Sequence, residues 1–380
     1  HLRGLCAYQQ FDFEEMGQHM ERAASGFAAA GRAAPAALSR ITAAVGMRNT
    51  GRHGEARAAF RQLAAEPLAG APAALRAYYV AWEAYADHEP AKVAPAFAEA
   101  LDWLDTLHEP QLWEQCFLHS FLVGLPGMAP LVERFDTSAM RMVHDTPSLL
   151  RSGVLHARAA TAWGRGDLDG AADGLAAADE DVRWLGSPRA LVTQNCMLHM
   201  ALDALRGDRE AVELHARRMH ADMRDVSGAA NRRTHHGSVL LVETRAWWCL
   251  GDDARVRALA QASAQARNAY EWRYAEAEDC MVRGMAALGA GRDAEAAALL
   301  HASLAGLDDE DACFFRHSHA RLLLAEAQRR LGRPAEAAAT LRPWLTAVHA
   351  GHGHLGGALM AGARVLEPLA ATLAPADAAL

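Results

Sequence analysis

Ten residues at 291–300, GRDAEAAALL, are nearly repeated at 332–341 as GRPAEAAATL. Reduced to Gly-x-x-x-x-Ala-x-x-x-[Leu/Phe], the phrase occurs at Gly51/Ala56/Phe60, Gly166/Ala171/Leu175, Gly291/Ala296/Leu300 and Gly332/Ala337/Leu341. Looser copies start at Gly207 and Gly251, degenerate ones near His88 and Gly127, and one more at Phe11. Successive starts are roughly 37 to 44 residues apart, a period that belongs to tandem helical repeats.

The phrase has a mechanical reading. Gly ends one helix because it enters the left-handed region cheaply. Asp, Glu or Pro just after it suits the first turn of the next helix. The Ala five residues on allows close approach to the partner helix, and the Leu or Phe one turn later lies on the same face. Such a helix pair cannot bury its apolar face alone, so it stacks on its neighbours. The expected fold is all-α: a right-handed superhelical solenoid of about nine tetratricopeptide-like antiparallel helix pairs, with repeats of about 40 residues. Residues 1–375 read as one array. A last helix over about 355–372 reads as an unpartnered cap, and 376–380 as a frayed tail.

Composition agrees. Ala, Leu and Arg dominate, and Pro is absent between Pro188 and Pro334, so helix breakers are sparse through the centre. The formal net charge of −8 argues against direct nucleic-acid contact. Six cysteines without a C-x-x-C pair read as reduced thiols of a cytoplasmic protein. No apolar run reaches membrane-spanning length, and no membrane association is expected. The chain starts at His1 and reads as part of something longer.

Residues 279–304, DCMVRGMAALGAGRDAEAAALLHASL, carry the pattern best, with Gly284 and Ala287 at the small-residue positions of a first helix. Tandem pairs of this length, together with the opening LRGLCAYQQFDFEEMGQHMERAASGFAAAG, resemble the MalT-like helical region of large bacterial transcriptional regulators of the LuxR and signal-transduction-ATPase type. The resemblance implies a region that senses a small effector or a regulatory protein or peptide. It would relay that signal to ATPase and DNA-binding domains of the same regulator, neither of which has a motif here. The alternative is a stand-alone interaction scaffold that grips a peptide or a partner helix.

Function is expected on the concave face, lined by the first helix of each pair. Arg151, Arg189, Arg232, Arg273 and Arg316 precede their turns by roughly 15 to 19 positions, and a ladder of guanidinium groups would attract carboxylate or phosphate. Tyr270, Trp272 and Arg273, with Arg316 and His317 one repeat later, add aromatic and cationic groups suited to binding. The expected binding residues are therefore Arg189, Arg232, Tyr270, Trp272, Arg273, Arg316 and His317. Of the adjacent Trp247 and Trp248, at least one belongs to the core.

The histidines of HAGHGH (349–354), His235, His236, and His317 and His319 lack a completing carboxylate or cysteine pattern. They read as solvated or helix-capping, so no metal and no cofactor is expected. No G-x-S-x-G, H-E-x-x-H or phosphate-cradling motif is present, and no enzymatic activity is expected.

Overall fold

A computed structural model of the chain describes residues 1–86, 89–116, 125, 127–224, 229–267, 275–305 and 315–373. Among these the protein is helical throughout, without a strand. In chain order the helices are α1 (Leu2–Gln9), α2 (Phe13–Ala29), α3 (Ala33–Asn49), α4 (His53–Ala64), α5 (Ala71–Ala86), α6 (Pro90–Leu107) and α7 (Pro110–Trp113). They continue with α8 (Met128–Met142), α9 (Leu149–Gly164), α10 (Leu168–Trp184), α11 (Arg189–Arg206), α12 (Arg209–Arg224), α13 (Ala229–Cys249) and α14 (Asp253–Arg267). The last are α15 (Ala275–Gly289), α16 (Asp293–Ser303), α17 (Phe315–Arg330), α18 (Pro334–His349), α19 (Leu355–Leu359) and α20 (Ala363–Leu373).

The turn at Gly291 shows how the repeated phrase works. Gly291 has φ +72. Its N–H donates to Leu288 O at 3.1 Å, and the N–H of Arg292 donates to Ala287 O at 2.9 Å. These two bonds are a Schellman closure, which satisfies carbonyls at the end of α15. The same closure recurs at Gly51, Gly166, Gly207, Gly251 and Gly332. At several of these turns the next residue caps the following helix. Asp167, Asp208 and Asp252 each accept a backbone N–H from three residues on, at 2.9–3.0 Å. Phe11 also stands at positive φ (56), and its ring is buried beside Phe13. The turn expected near His88 lies outside the described residues.

The Ala and Leu/Phe positions of the phrase are core. Ala56, Phe60, Ala171, Leu175, Ala296, Leu300, Ala337 and Leu341 are all buried. Gly284 is small for a steric reason: a Cβ there would lie 2.7 Å from Leu300 Cγ. Both Trp247 and Trp248 are fully buried.

Helices adjacent in sequence pack on one another, an arrangement consistent with an α-solenoid. First helices of neighbouring units also touch, α9 with α11, α11 with α13, α13 with α15, and α15 with α17. The buried apolar residues form two clusters that meet along α9, which contributes Leu150 and Val154 to one and Ala159, Ala160 and Trp163 to the other.

The C-terminus departs from expectation. The single cap helix expected over 355–372 is two helices, α19 and α20, broken where Gly362 takes φ +80. The break lets the segment fold back on the middle of the chain. α19 packs on α9, and Gly356 lies so close to Trp163 that a Cβ would sit 2.5 Å from its backbone oxygen. Trp248 Nε1 donates to Ala361 O at 2.9 Å, and Arg364 lies over the Trp248 ring at 3.5 Å. This end has partners on both sides.

Candidate functional site

First helices of three consecutive units line an apolar cavity of about 90 Å³. α9 contributes His156 and Trp163, α11 contributes Gln194 and Ala201, α13 contributes Arg245, and Met360 adds to the lining. His156, Gln194 and Arg245 are buried polar groups in otherwise apolar walls. Gln194 Oε1 is buried with no hydrogen-bond partner among the described residues, which costs about 1–3 kcal/mol. A donor on a bound guest would remove that cost. Two further buried histidines adjoin Arg245 electrostatically, His319 and His354. Both ring nitrogens of His319 are buried and have no hydrogen-bond partner among the described residues.

A hydrogen-bonded path leads outward from the cavity. His156 Nδ1 and Asn195 Oδ1 are 2.9 Å apart, Asn195 Nδ2 donates to Asp179 Oδ1 at 2.7 Å, and His199 Nε2 meets Asp179 Oδ2 at 2.7 Å. The Asn195 amide donates to a carboxylate, so its oxygen faces His156 and takes the Nδ1 proton. Burial works to raise the Asp179 carboxyl. Hydrogen bonds from His199 and Asn195, with the charges of His199 and Arg183, outweigh it and hold the group below the ordinary carboxylate range.

At the outer end, His199 and His215 stack with ring centroids 4.8 Å apart and planes 4° from parallel. His215 Nε2 is 3.4 Å from Asp203 Oδ2. The two histidines line a second cavity of about 160 Å³ with Asp179, Arg183, Cys196 and Arg218. Burial pushes the Cys196 thiol up to about 12, so it is a neutral, unreactive wall group.

The residues expected from sequence fare differently. Arg189 opens α11 and is partly buried. Tyr270, Trp272 and Arg273 lie outside the described residues, and Arg232, Arg316 and His317 fall in helical stretches whose side chains are not described. Arg151 of the proposed ladder is engaged within the fold, with Nη1 2.7 Å from the buried Asp181 Oδ1. The expectation of solvated or capping histidines holds at His354, which accepts from Gly357 N at 3.0 Å as the cap of α19. It fails at His319, which is fully buried.

Sequence reasoning passed over His156, Gln194, Arg245, Asp179, Asn195, His199, Asp203 and His215. Two signals were present. Glu243, Thr244 and Arg245 interrupt an apolar run between Val239 and Trp248, and all three are buried. His199 and Asp203 stand at i, i+4 on one helix, the spacing that puts two donors on one face. No protein-family model matches the chain, and no curated protein matches it.

Proposed function

We propose that this chain is a sensing scaffold: a right-handed superhelical array of tetratricopeptide-like helix pairs, one region of a larger cytoplasmic bacterial regulator. It binds a small effector at the cavity between α9, α11 and α13. The observation that carries this reading is the cavity's composition. Apolar walls from three consecutive first helices surround a buried guanidinium and an unsatisfied amide oxygen, a pattern suited to a small guest with an apolar body and an acidic or hydrogen-bonding head. The guest would touch three repeat units at once, so its binding would bias their relative packing and, through it, partner domains of the same regulator.

The second reading is an interaction scaffold for a peptide or partner helix, favoured by the solenoid-like stacking of the helices. One experiment separates the two. The intact chain is screened by thermal shift against a panel of small amphipathic carboxylic acids. A compound that raises the melting temperature of the native chain but not that of Arg245→Met supports the effector reading. A panel without effect, with saturable binding of a helical peptide, supports the scaffold.

A further inference from the structure

The His199–Asp203–His215 cluster has a chemistry of its own. One ring nitrogen from each histidine and one Asp203 carboxylate oxygen lie within 4.8 Å of one another. All three side chains are partly exposed, at 23, 15 and 17 % for His199, Asp203 and His215, so an ion can reach them. α11 supplies His199 and Asp203 one turn apart, and α12 supplies His215 from the antiparallel partner. Two donors on one helix face and a third from the facing helix is a way bundles build metal centres.

Asp179 does for His199 what an outer carboxylate does for a metal ligand. It accepts the Nε2 proton at 2.7 Å and so holds the tautomer whose Nδ1 carries the lone pair. His215 turns its Nε2 toward Asp203, and this nitrogen is the donor it offers. Tetrahedral coordination at about 2.0–2.2 Å places donors roughly 3.3–3.6 Å apart. The His215–Asp203 separation of 3.4 Å is already there, and a ring nitrogen of His199 lies within 4.8 Å of both donors. The adjoining cavity of about 160 Å³ has room for water to complete the shell.

We propose that His199, Asp203 and His215 form a binding site for one first-row divalent transition cation of the Zn²⁺ class, with Asp179 as the positioning residue behind His199. Two imidazoles and one carboxylate match this class better than Mg²⁺ or Ca²⁺, which take oxygen ligands. Arg183 and Arg218 line the same cavity, which makes a small anion the competing guest.

The test uses the full chain without a tag, stripped with EDTA and dialysed. ZnCl₂ is titrated against a competing chromophoric chelator, and CoCl₂ is added separately to read the ligand-field spectrum. The expected result is one equivalent of Zn²⁺ per chain and a Co²⁺ spectrum of low coordination number. His199→Ala and His215→Ala should each abolish that equivalent. Asp179→Asn should weaken it about 10–100-fold without abolishing it. Should a histidine variant lose the helical circular dichroism of the parent, Asp203→Asn, nearly isosteric, carries the same expectation of lost binding. Absence of a stoichiometric equivalent overturns the proposal. So does an equivalent that His199→Ala and His215→Ala leave unweakened, or saturable binding of inorganic phosphate in place of the metal.

Discussion

At the scale of single residues, backbone conformation and burial decide what each position tolerates. Gly291 stands at φ +72 with open space where a Cβ would go, so its cost of substitution is conformational alone. Gly291→Ala should lower stability by about 1–2 kcal/mol, and Gly291→Asn by less, read from urea unfolding. Burial and the Arg245 charge depress His354 to about 3, and the same two causes hold His319 well below its ordinary value. Both are neutral when folded, and each takes a proton near pH 6.5 once unfolded. The unfolded state therefore binds more protons in acid. Stability is full above about 6.5 and falls by about 1.4 kcal/mol per pH unit for each histidine as pH drops from there. His354→Asn keeps a cap acceptor for Gly357 without the titration. Its unfolding midpoint should change less between pH 7 and pH 5 than that of the parent, and an equal or steeper change would contradict this account.

At the scale of elements, the repeated phrase is a packing instruction. Ala296 is fully buried on α16 while Ala298, half a turn away, is exposed. Ala296→Leu should cost about 1–3 kcal/mol by overpacking, and Ala298→Leu less than about 0.5 kcal/mol, measured as the difference between two chemical denaturation curves. This level was legible in the sequence because its requirements are local. A left-handed turn demands Gly, a helix start favours Asp, and a tight crossing needs Ala at one register. The candidate site was not legible, because its residues meet across units about 40 residues apart. His156, Asp179, Asn195 and His199 come from three helices joined only by packing. No periodicity along one helix reveals which buried polar groups will face each other. The Arg ladder rested on spacing alone, and spacing did not anticipate that Arg151 would be taken by Asp181.

For the whole molecule, the return of α19 and α20 onto α9 and α13 links the chain's end to the cavity between the first helices. Met360 lines that cavity, and Gly356 permits the close approach to Trp163. Gly356→Val should detach this end, because a side chain at that position would collide with the Trp163 backbone and ring. The expected sign is faster amide hydrogen exchange in α9 and α19 with α2 to α4 unchanged; uniform change along the chain would contradict the local docking. The central claim, that the cavity between the first helices is the binding site, is tested most directly by filling it. Ala201 is buried in the cavity wall, and Ala201→Leu adds three carbons to a space of about 90 Å³. Calorimetric titration of the native and Ala201→Leu chains with a stabilising carboxylic acid, paired with their unfolding curves, gives the answer. The account predicts that Ala201→Leu is as stable as the native chain or more so, by up to about 2 kcal/mol, and no longer binds the acid. Undiminished binding by a folded Ala201→Leu chain would place the site elsewhere.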